Sequence, residues 1–341
     1  MSSISSASDE ADTATLVVSF LVIILAVVSG ALRFYTRIFT KAGLGPDDWM
    51  MTSAMILAII AATLLIWGNV INPDGIAVSN STDPDYVYSA DDVLYFKITY
   101  AILLLYYAVT SATKLGVLFM YSRIFSVNNF VRNQIYVLEF LVAGWWLGCT
   151  ITCLTGCKPF SARWGNGALD PNKCYDLNIF WAASGACEVF LDILILSLPI
   201  IMVARMNIPL KQKLLISGIF LLGGLSIATG LVKVILGYSP GTREMDYSTT
   251  EVWSAVHGGT AIVSANLPVF KPLYDKVGKH LSEWRHIRSC SSSDSSRGHF
   301  ELGNIGQPSN DTSAEDLWHP HPPAWSKGTT NWSISSATSR H

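Results

Sequence analysis

"RFYTRIFTKAGLGPDDWMM", residues 33–51, joins two apolar runs and holds three cations, a Gly-x-Gly-Pro break and two adjacent aspartates. Its meaning depends on what surrounds it. Charged residues make up only 14% of the 341, and mean hydropathy is +0.36, whereas an ordinary soluble domain carries about 25% charged residues. Crossing a bilayer takes about 20 apolar residues. Seven runs approach or exceed that length, roughly 16–32, 49–68, 98–121, 135–156, 177–204, 214–237 and 252–274. The expected architecture is an all-α membrane protein with seven transmembrane helices between 16 and 274. The quoted stretch is then the turn between the first two.

The segment before the first run, "MSSISSASDEADTAT", has three acids and no Lys or Arg. It therefore reads as a short extracellular N-terminus, 1–15, rather than the basic start of a signal peptide. With the N-terminus outside, the cytosolic segments hold Arg33, Arg37, Lys41, Arg123, Arg132, Arg205, Lys211, Lys213, Lys271, Lys276, Lys279, Arg285 and Arg288. The outer segments hold only Lys158, Arg163, Lys173 and Arg243. The positive-inside rule favours this orientation, with the C-terminus cytosolic. The acceptor sequon at Asn80 agrees, since it falls on an outer stretch, 69–96, with five aspartates and no cation, and it predicts a glycoprotein. Sequons at Asn310 and Asn331 fall in the cytosolic tail and are expected to stay unmodified. The cations of the opening stretch thus anchor the first helix. Asp47 and Asp48 follow Pro46 at the start of the second, where unpaired amides and the helix dipole favour anions. Pairing of the two aspartates with a basic loop is the alternative.

The outer loop "CKPFSARWGNGALDPNKCY" is rich in Gly, Pro and Asn and bounded by Cys157 and Cys174, which are expected to close it as a disulfide. Cys149, Cys153 and Cys157 share a helix face, but no His or carboxylate accompanies them, so the stripe reads as packing and no metal is assigned. Beyond the last run, Leu273, Val277, Leu281 and Trp284 share one face among basic residues, which predicts an amphipathic juxtamembrane helix over 275–288. In 289–341, 17 of 53 residues are Ser or Thr, so this segment is expected to be a disordered, phosphorylatable cytosolic tail.

Charges inside a bilayer are costly, which makes each a candidate site. Lys114 falls in the third run, Glu188 and Asp192 in the fifth, Lys233 in the sixth and His257 in the seventh. At about 1.5 Å per residue, Lys114 lies on the order of 13 Å and Asp192 on the order of 18 Å from the cytosolic ends of their helices, so an intramembrane charge pair is reasonable. Glu188 lies one turn from Asp192 on the same face, farther out. Together with Lys233 and His257 it is expected to form a ligand pocket above that pair. The competing reading is that these charges only fix helix packing. Pro199, Pro268 and Pro272 are expected to bend helices five and seven.

The opening stretch, "KLGVLFMYSRIF" at 114–125, "CKPFSARW" at 157–164, "DILILSLPI" at 192–200 and "LPVFKPL" at 267–273 together resemble, in order, the fungal rhodopsin domain family of seven-helix membrane proteins. That family includes receptor-like proteins of plant-pathogenic fungi and relatives of a satratoxin-cluster membrane protein. The resemblance covers about 30–280 and implies a plasma-membrane protein with receptor-like roles. Matching positions are Arg33, Arg37, Asp47, Asp48 and Trp49; Lys114, Tyr121 and Arg123; Asp192 and Pro199; and Trp253, Pro268 and Pro272. There are departures: "GLGPDDW" replaces the usual loop form, Lys233 stands where the pattern has Arg, and His257 stands where it has a glutamate four residues past Trp253. The family name does not imply photochemistry here. An opsin needs a lysine in the middle of helix seven, and Lys271 falls at its cytosolic end, so neither retinal nor any other cofactor is expected.

The leading functional expectation is a receptor-like protein with an unidentified small apolar or amphipathic ligand, in contact with the lipid bilayer and coupled to a heterotrimeric G protein or another cytosolic signalling protein. No residue has a catalytic role in that reading. The alternative is an intramembrane cyclase or isomerase of a secondary-metabolite pathway, with Glu188 or Asp192 as proton donor. A transporter fits less well, given the odd helix count and the lack of inverted repeats.

Overall fold

The computed structural model describes residues 2–41, 43–72, 75, 87–124, 129–164, 168, 170–204 and 210–270. Asn80, Pro272, the 275–288 helix and the 289–341 tail lie outside the described residues.

Seven long α-helices occupy most of the described chain: α1 (Ser2–Thr40), α2 (Pro46–Ile71), α3 (Ala90–Ile124), α4 (Asn129–Thr155), α5 (Leu177–Ala204), α6 (Leu210–Gly237) and α7 (Tyr247–Asn266). Their starts have local causes. Pro46 occupies the first turn of α2, and Asp48 Oδ2 accepts the Gly45 backbone N–H at 3.0 Å. Before α3, Ser89 and Asp92 form a reciprocal box: the Asp92 N–H donates to Ser89 Oγ at 3.1 Å and the Ser89 N–H to Asp92 Oδ2 at 2.8 Å. The α5 N-cap is Asp176, whose Oδ1 accepts the Ile179 N–H at 3.0 Å.

Helix boundaries depart from the hydropathy runs at both ends of the chain. The first helix extends back to Ser2, through the segment expected to precede it. At the other end α7 stops at Asn266 and gives way to a 3-10 turn, Leu267–Phe270, because Pro268 lacks the N–H a continuing α-helix needs.

Each helix packs on its neighbours in sequence, and α7 returns to α1, so the seven form a closed ring. Helix α3 also touches α5 and α7, which places it toward the interior. With its neighbours it forms apolar clusters at two levels, Leu118, Ile135, Val142 and Ile195 at one, Leu103, Tyr107, Leu177 and Trp181 at the other. Outward faces are apolar too: Phe20, Ile24 and Val28 of α1, Phe140 and Ile151 of α4 and Ile235 of α6 are all exposed. Five of the helices, within Phe20–Thr40, Pro46–Ile71, Ala90–Ile124, Asn129–Thr155 and Leu177–Ile201, are long and apolar enough to cross a membrane. An apolar exterior on helices of that length is what a hydrocarbon solvent selects.

The α4–α5 loop is closed by the Cys157–Cys174 disulfide, as expected of the two cysteines that bound it. It is stitched to the α6–α7 loop: Arg243 Nη2 donates to the Cys174 carbonyl at 2.7 Å, and Asn178 Nδ2 to the Ser239 carbonyl at 2.6 Å. Cys149 and Cys153 are buried in the neighbouring apolar cluster.

At the opposite end the 33–51 stretch folds into an ionic clamp. Arg33 reaches Asp47 Oδ2 with Nη2 and Asp48 Oδ1 with Nε, both at 2.7 Å. Arg37 bonds the same two carboxylates, and Arg123 Nη1 arrives from α3 at 3.5 Å from Asp47 Oδ1. The group is nearly dry, with Arg33, Asp47 and Asp48 exposed by 3%, 0% and 2%. Arg33 Nη1 also donates to Asn266 Oδ1 at 3.2 Å, and Asn266 Nδ2 to Ser29 Oγ at 2.7 Å, which ties in the end of α7. Gly45 lets the cluster close, since a Cβ there would stand 2.4 Å from Asp47 Oδ1 and 2.9 Å from Arg123 Nη1. Asp48 therefore caps α2, both aspartates pair with cations, and the cations belong to the adjacent helices rather than to a separate loop. Removing one member of a buried ion group leaves its partners uncompensated, at a cost of about 3–5 kcal/mol. Asp47→Ala is expected to lower unfolding stability of the detergent-purified protein by about that amount. Trp49→Ala, at a side chain 68% exposed beside the clamp, is expected to change it by no more than about 0.5 kcal/mol. Thermal or denaturant unfolding of the two variants checks both values.

Candidate functional site

Midway along the bundle, α3 and α5 face each other turn by turn. Tyr107 OH lies 3.0 Å from Ser184 Oγ, Tyr106 OH donates to Glu188 Oε2 at 2.8 Å, and Lys114 Nζ donates to Asp192 Oδ1 at 2.5 Å. Ser184, Glu188 and Asp192 follow one another at four-residue spacing, so a single face of α5 carries the whole polar ladder. From α6, Lys233 Nζ donates to Glu188 Oε2 at 2.7 Å and to Tyr106 OH at 2.6 Å. From α7, His257 Nε2 stands 3.3 Å from Glu188 Oε1. Lys114 Nζ is 3.8 Å from that same oxygen, so the expected pocket and the expected charge pair form one network with Glu188 at its centre.

Close helix approach brings these groups together. A Cβ on Gly185 would meet Val234 at 2.4 Å, and one on Gly230 would meet His257 and Val189 at 3.2 Å, so both glycines let α6 and α7 press against α5. Glu188, Lys233 and His257 are at most 1% exposed. Charge is balanced by two lysines and two carboxylates, so a neutral His257 leaves the network neutral. His257 Nδ1 lies 3.1 Å from the Ser226 carbonyl. A carbonyl only accepts, which assigns a hydrogen to Nδ1 in that contact.

Two cavities flank the network. The first, about 100 Å³, is walled by α2, α3, α5 and α7 and is almost wholly apolar, with Ala58, Ala62, Leu65, Leu103, Val109, Tyr106 and Trp181 among its lining. The second, about 80 Å³, is more polar and is lined by Thr110, Thr113, Lys114, Asp192, Ser226 and Ser264, with Tyr121 and Pro268 toward the clamp end. Glu188, Lys233 and His257 line neither of them, because their polar atoms are turned on one another. The three residues expected to line a ligand pocket thus meet in a knot beside these two spaces. Tyr106 and Trp181 connect it to the first: both line that cavity, while Lys233 Nζ lies 4.4 Å and 4.8 Å from their ring centroids, a cation–π geometry.

The resemblance motifs divide in space. Arg33, Arg37, Asp47, Asp48 and Arg123 meet in the clamp, whereas Trp49 is exposed on the outer face. Tyr121 is buried against Leu118 and Val131, Pro199 lies within α5, Trp253 within α7, and Pro268 in the 3-10 turn after it. Three participants escaped the sequence reading. Tyr106 is one, although Tyr106, Thr110, Thr113 and Lys114 form a polar stripe at helical spacing that could have flagged it. Trp181 carried no local signal. Glu251, whose Oε1 accepts the Tyr95 hydroxyl at 3.1 Å, lies one residue before the seventh apolar run and so falls outside the intramembrane charges.

Comparison with known proteins agrees with this architecture. The chain is 25% identical over 270 residues to the polyenoic acids biosynthesis gene cluster protein Ba17b of Metarhizium anisopliae, covering 74% of this chain and 71% of the relative. It is 27% identical to the wortmanamides biosynthesis cluster protein C of Talaromyces wortmannii, covering 81% and 77%. It is also 22% identical to the satratoxin biosynthesis SC1 cluster protein 4 of Stachybotrys chartarum, covering 48% and 60%. No solved structure matches it. The model of the fungal rhodopsin domain matches residues 32–276, from the clamp arginines to just past α7, and the chain belongs to that family of multi-pass membrane proteins.

Proposed function

We propose that this protein is a receptor-like sensor of a small apolar or amphipathic molecule, with seven membrane crossings, the N-terminus outside and the clamp end in the cytosol. A single observation carries the reading: Tyr106 and Trp181 are at once walls of the apolar cavity and partners of Lys233 in the charge knot. A ligand that moves either ring changes the environment of a buried ammonium held by Glu188. Because the knot joins α3, α5, α6 and α7, such a change is felt by four helices together. In a bundle with packed, bistable interfaces, small shifts at a ligand site become helix displacements. The output would be read at the clamp end by a heterotrimeric G protein or another cytosolic signalling protein, and the plasma membrane is the compartment this role requires. No cofactor is needed for it.

An intramembrane cyclase or isomerase is the second reading, and one observation favours it: Asp192 Oδ2 lacks a hydrogen-bond partner and its residue borders the second cavity, where a proton donor would have to stand. The names of the relatives, which refer to biosynthetic clusters, are consistent with it. Glu188 is a poorer donor, since it lines neither cavity.

The orientation is tested first by glycosylation. On expression in a eukaryotic host, Asn80→Gln is expected to abolish an endoglycosidase-sensitive mobility shift, and Asn310→Gln and Asn331→Gln to leave it unchanged. The opposite pattern inverts the topology. The role of the knot is tested by separating folding from response. Lys233→Met leaves Glu188 short of its nearest cation and is expected to cost about 3–5 kcal/mol of stability, whereas Glu188→Leu with Lys233→Met removes both charges and recovers most of it. Lys114 keeps Asp192 in that double variant. A deletion strain carrying it is expected to show normal surface levels, an unchanged metabolite profile and a blunted transcriptional response to lipophilic extracts. A missing product with an accumulated precursor would establish the enzyme reading instead, and a fully retained response would reduce the knot to packing.

A further inference from the structure

Two polar atoms of the knot meet without a hydrogen bond. His257 Nε2 and Glu188 Oε1 stand 3.3 Å apart, both buried, and neither has a hydrogen-bond partner among the described residues. The cause lies on the other side of the imidazole. Nδ1 is 3.1 Å from the Ser226 carbonyl and 3.4 Å from Thr229 Oγ1. That hydroxyl already gives its hydrogen to the Ser226 carbonyl at 2.9 Å, so Nδ1 faces acceptors only and is the nitrogen that carries a hydrogen. In the neutral ring Nε2 is then a bare lone pair beside a carboxylate oxygen. Two acceptors in contact at a dry site leave each other unsatisfied. Lys114 does not relieve them, because its ammonium is 3.8 Å from Oε1 and donates to Asp192 Oδ1 at 2.5 Å. Nor does Lys233, whose bonds go to Glu188 Oε2 and Tyr106. This contact is one hydrogen short of pairing.

We infer that His257 is a proton-binding site, and that a proton taken up on Nε2 is held between α7 and α5 by Glu188. The Nε2 lone pair takes the proton from water, the ring becomes an imidazolium that donates to Oε1, and the network passes from neutral to one net positive charge. Water has an approach. The second cavity borders the knot at Lys114, Asp192 and Ser226, its wall is polar, and its volume of about 80 Å³ exceeds the roughly 10–15 Å³ that one water needs. The charged groups around the ring are Glu188 and Asp192 from α5, Lys233 from α6 and Lys114 from α3. Tyr106, also on α3, places its ring centroid 6.5 Å from the imidazole. Glu251, on α7 itself, accepts from Tyr95, and the buried charges of α1 and α2 lie in the clamp. Two ammonium groups already flank the carboxylate, so the added proton is held in competition with them and exchanges with solvent. His257 is the one member of the knot that α7 supplies. With the proton α7 is bonded to α5, and without it the two helices meet there as acceptors. The inference concerns the knot in the purified protein, and its failure leaves the sensor reading untouched.

The test uses the full chain in lipid nanodiscs, with nitrogen-15 in histidine and carbon-13 in glutamate, and solid-state NMR at about pH 5 and about pH 8, the range over which imidazole changes charge. The other six histidines all lie at position 280 or beyond, and His257→Gln identifies the His257 signals by difference. At the lower pH both ring nitrogens are expected to carry hydrogen, with the Nε2 hydrogen in dipolar contact with the Glu188 carboxyl carbon. At the higher pH the Nε2 signal is expected to shift to that of an unprotonated ring nitrogen, while Nδ1 keeps its hydrogen. Glu188→Leu with Lys233→Met removes the acceptor together with its cation, so Nε2 is expected to be bare at both pH values. A bare Nε2 at the lower pH in the wild type, or a doubly protonated ring at that pH in the double variant, would overturn the site. A ring that keeps both hydrogens at the higher pH would overturn the exchange, and hydrogen on Nε2 alone there would overturn the assignment of Nδ1. If the double variant does not fold, the contact between the Nε2 hydrogen and the Glu188 carboxyl carbon in the wild type decides: its absence sinks the inference.

Discussion

Glu188 occupies the point where α3, α5, α6 and α7 converge, and the arrangement of those four helices follows from what a buried carboxylate requires. Hydrocarbon offers no water to solvate a charge, so the carboxylate needs cations and donors from its neighbours. Lys233, Tyr106 and Lys114 meet that need, each from a helix other than its own, and the His257 ring packs beside them. Rotating any one helix by a third of a turn would withdraw a partner and leave the rest unbalanced. The glycines of α5 and α6 belong to the same requirement, because the helices must approach closely before a lysine on one can reach a carboxylate on the next. Whatever its net energy, such a network specifies one packing among the many that an apolar exterior would tolerate.

The knot also separates two spaces of different character. Toward the disulfide end lies an almost wholly apolar cavity, and toward the clamp end a smaller, hydroxyl-lined one beside Lys114 and Asp192. Only side chains connect them: Tyr106 and Trp181 on one side, the Lys114–Asp192 pair on the other. A bundle divided in this way can carry a signal from one side to the other without a continuous passage, since displacement of a ring on one side alters the field around an ammonium shared with the other. It is also a plausible shape for sheltered chemistry on an apolar substrate, which is why metabolite measurements discriminate between the two readings.

The clamp obeys the same electrostatic logic at a helix end. Two aspartates and Arg33, all nearly dry, with the more exposed Arg37 and Arg123 lock the α1–α2 turn to α3, and Asn266 extends the lock to the end of α7. Loops at the far end are held instead by a disulfide and by hydrogen bonds between loops. Covalent and hydrogen-bonded restraint at one end, with ionic restraint at the other, leaves the middle of the bundle to be organised by the knot.

Composition and local pattern determined the membrane class, the helix-rich fold, the identity of the intramembrane charges, the disulfide and the family. Each depends on quantities that add along the chain or on short motifs: hydropathy per window, cysteines in one loop, five motifs in fixed order. Tertiary structure decided which charges meet. That Asp47 and Asp48 bind Arg33 and Arg37, that Glu188 joins the expected pocket to the expected pair, and that Tyr106 and Trp181 stand between knot and cavity all depend on the rotation of each helix about its axis and the identity of its neighbour. Sequence spacing states which residues share a helix face. Which face looks at which follows only when seven helices have packed together, because the ion-pair partners in the knot and the clamp come from different helices.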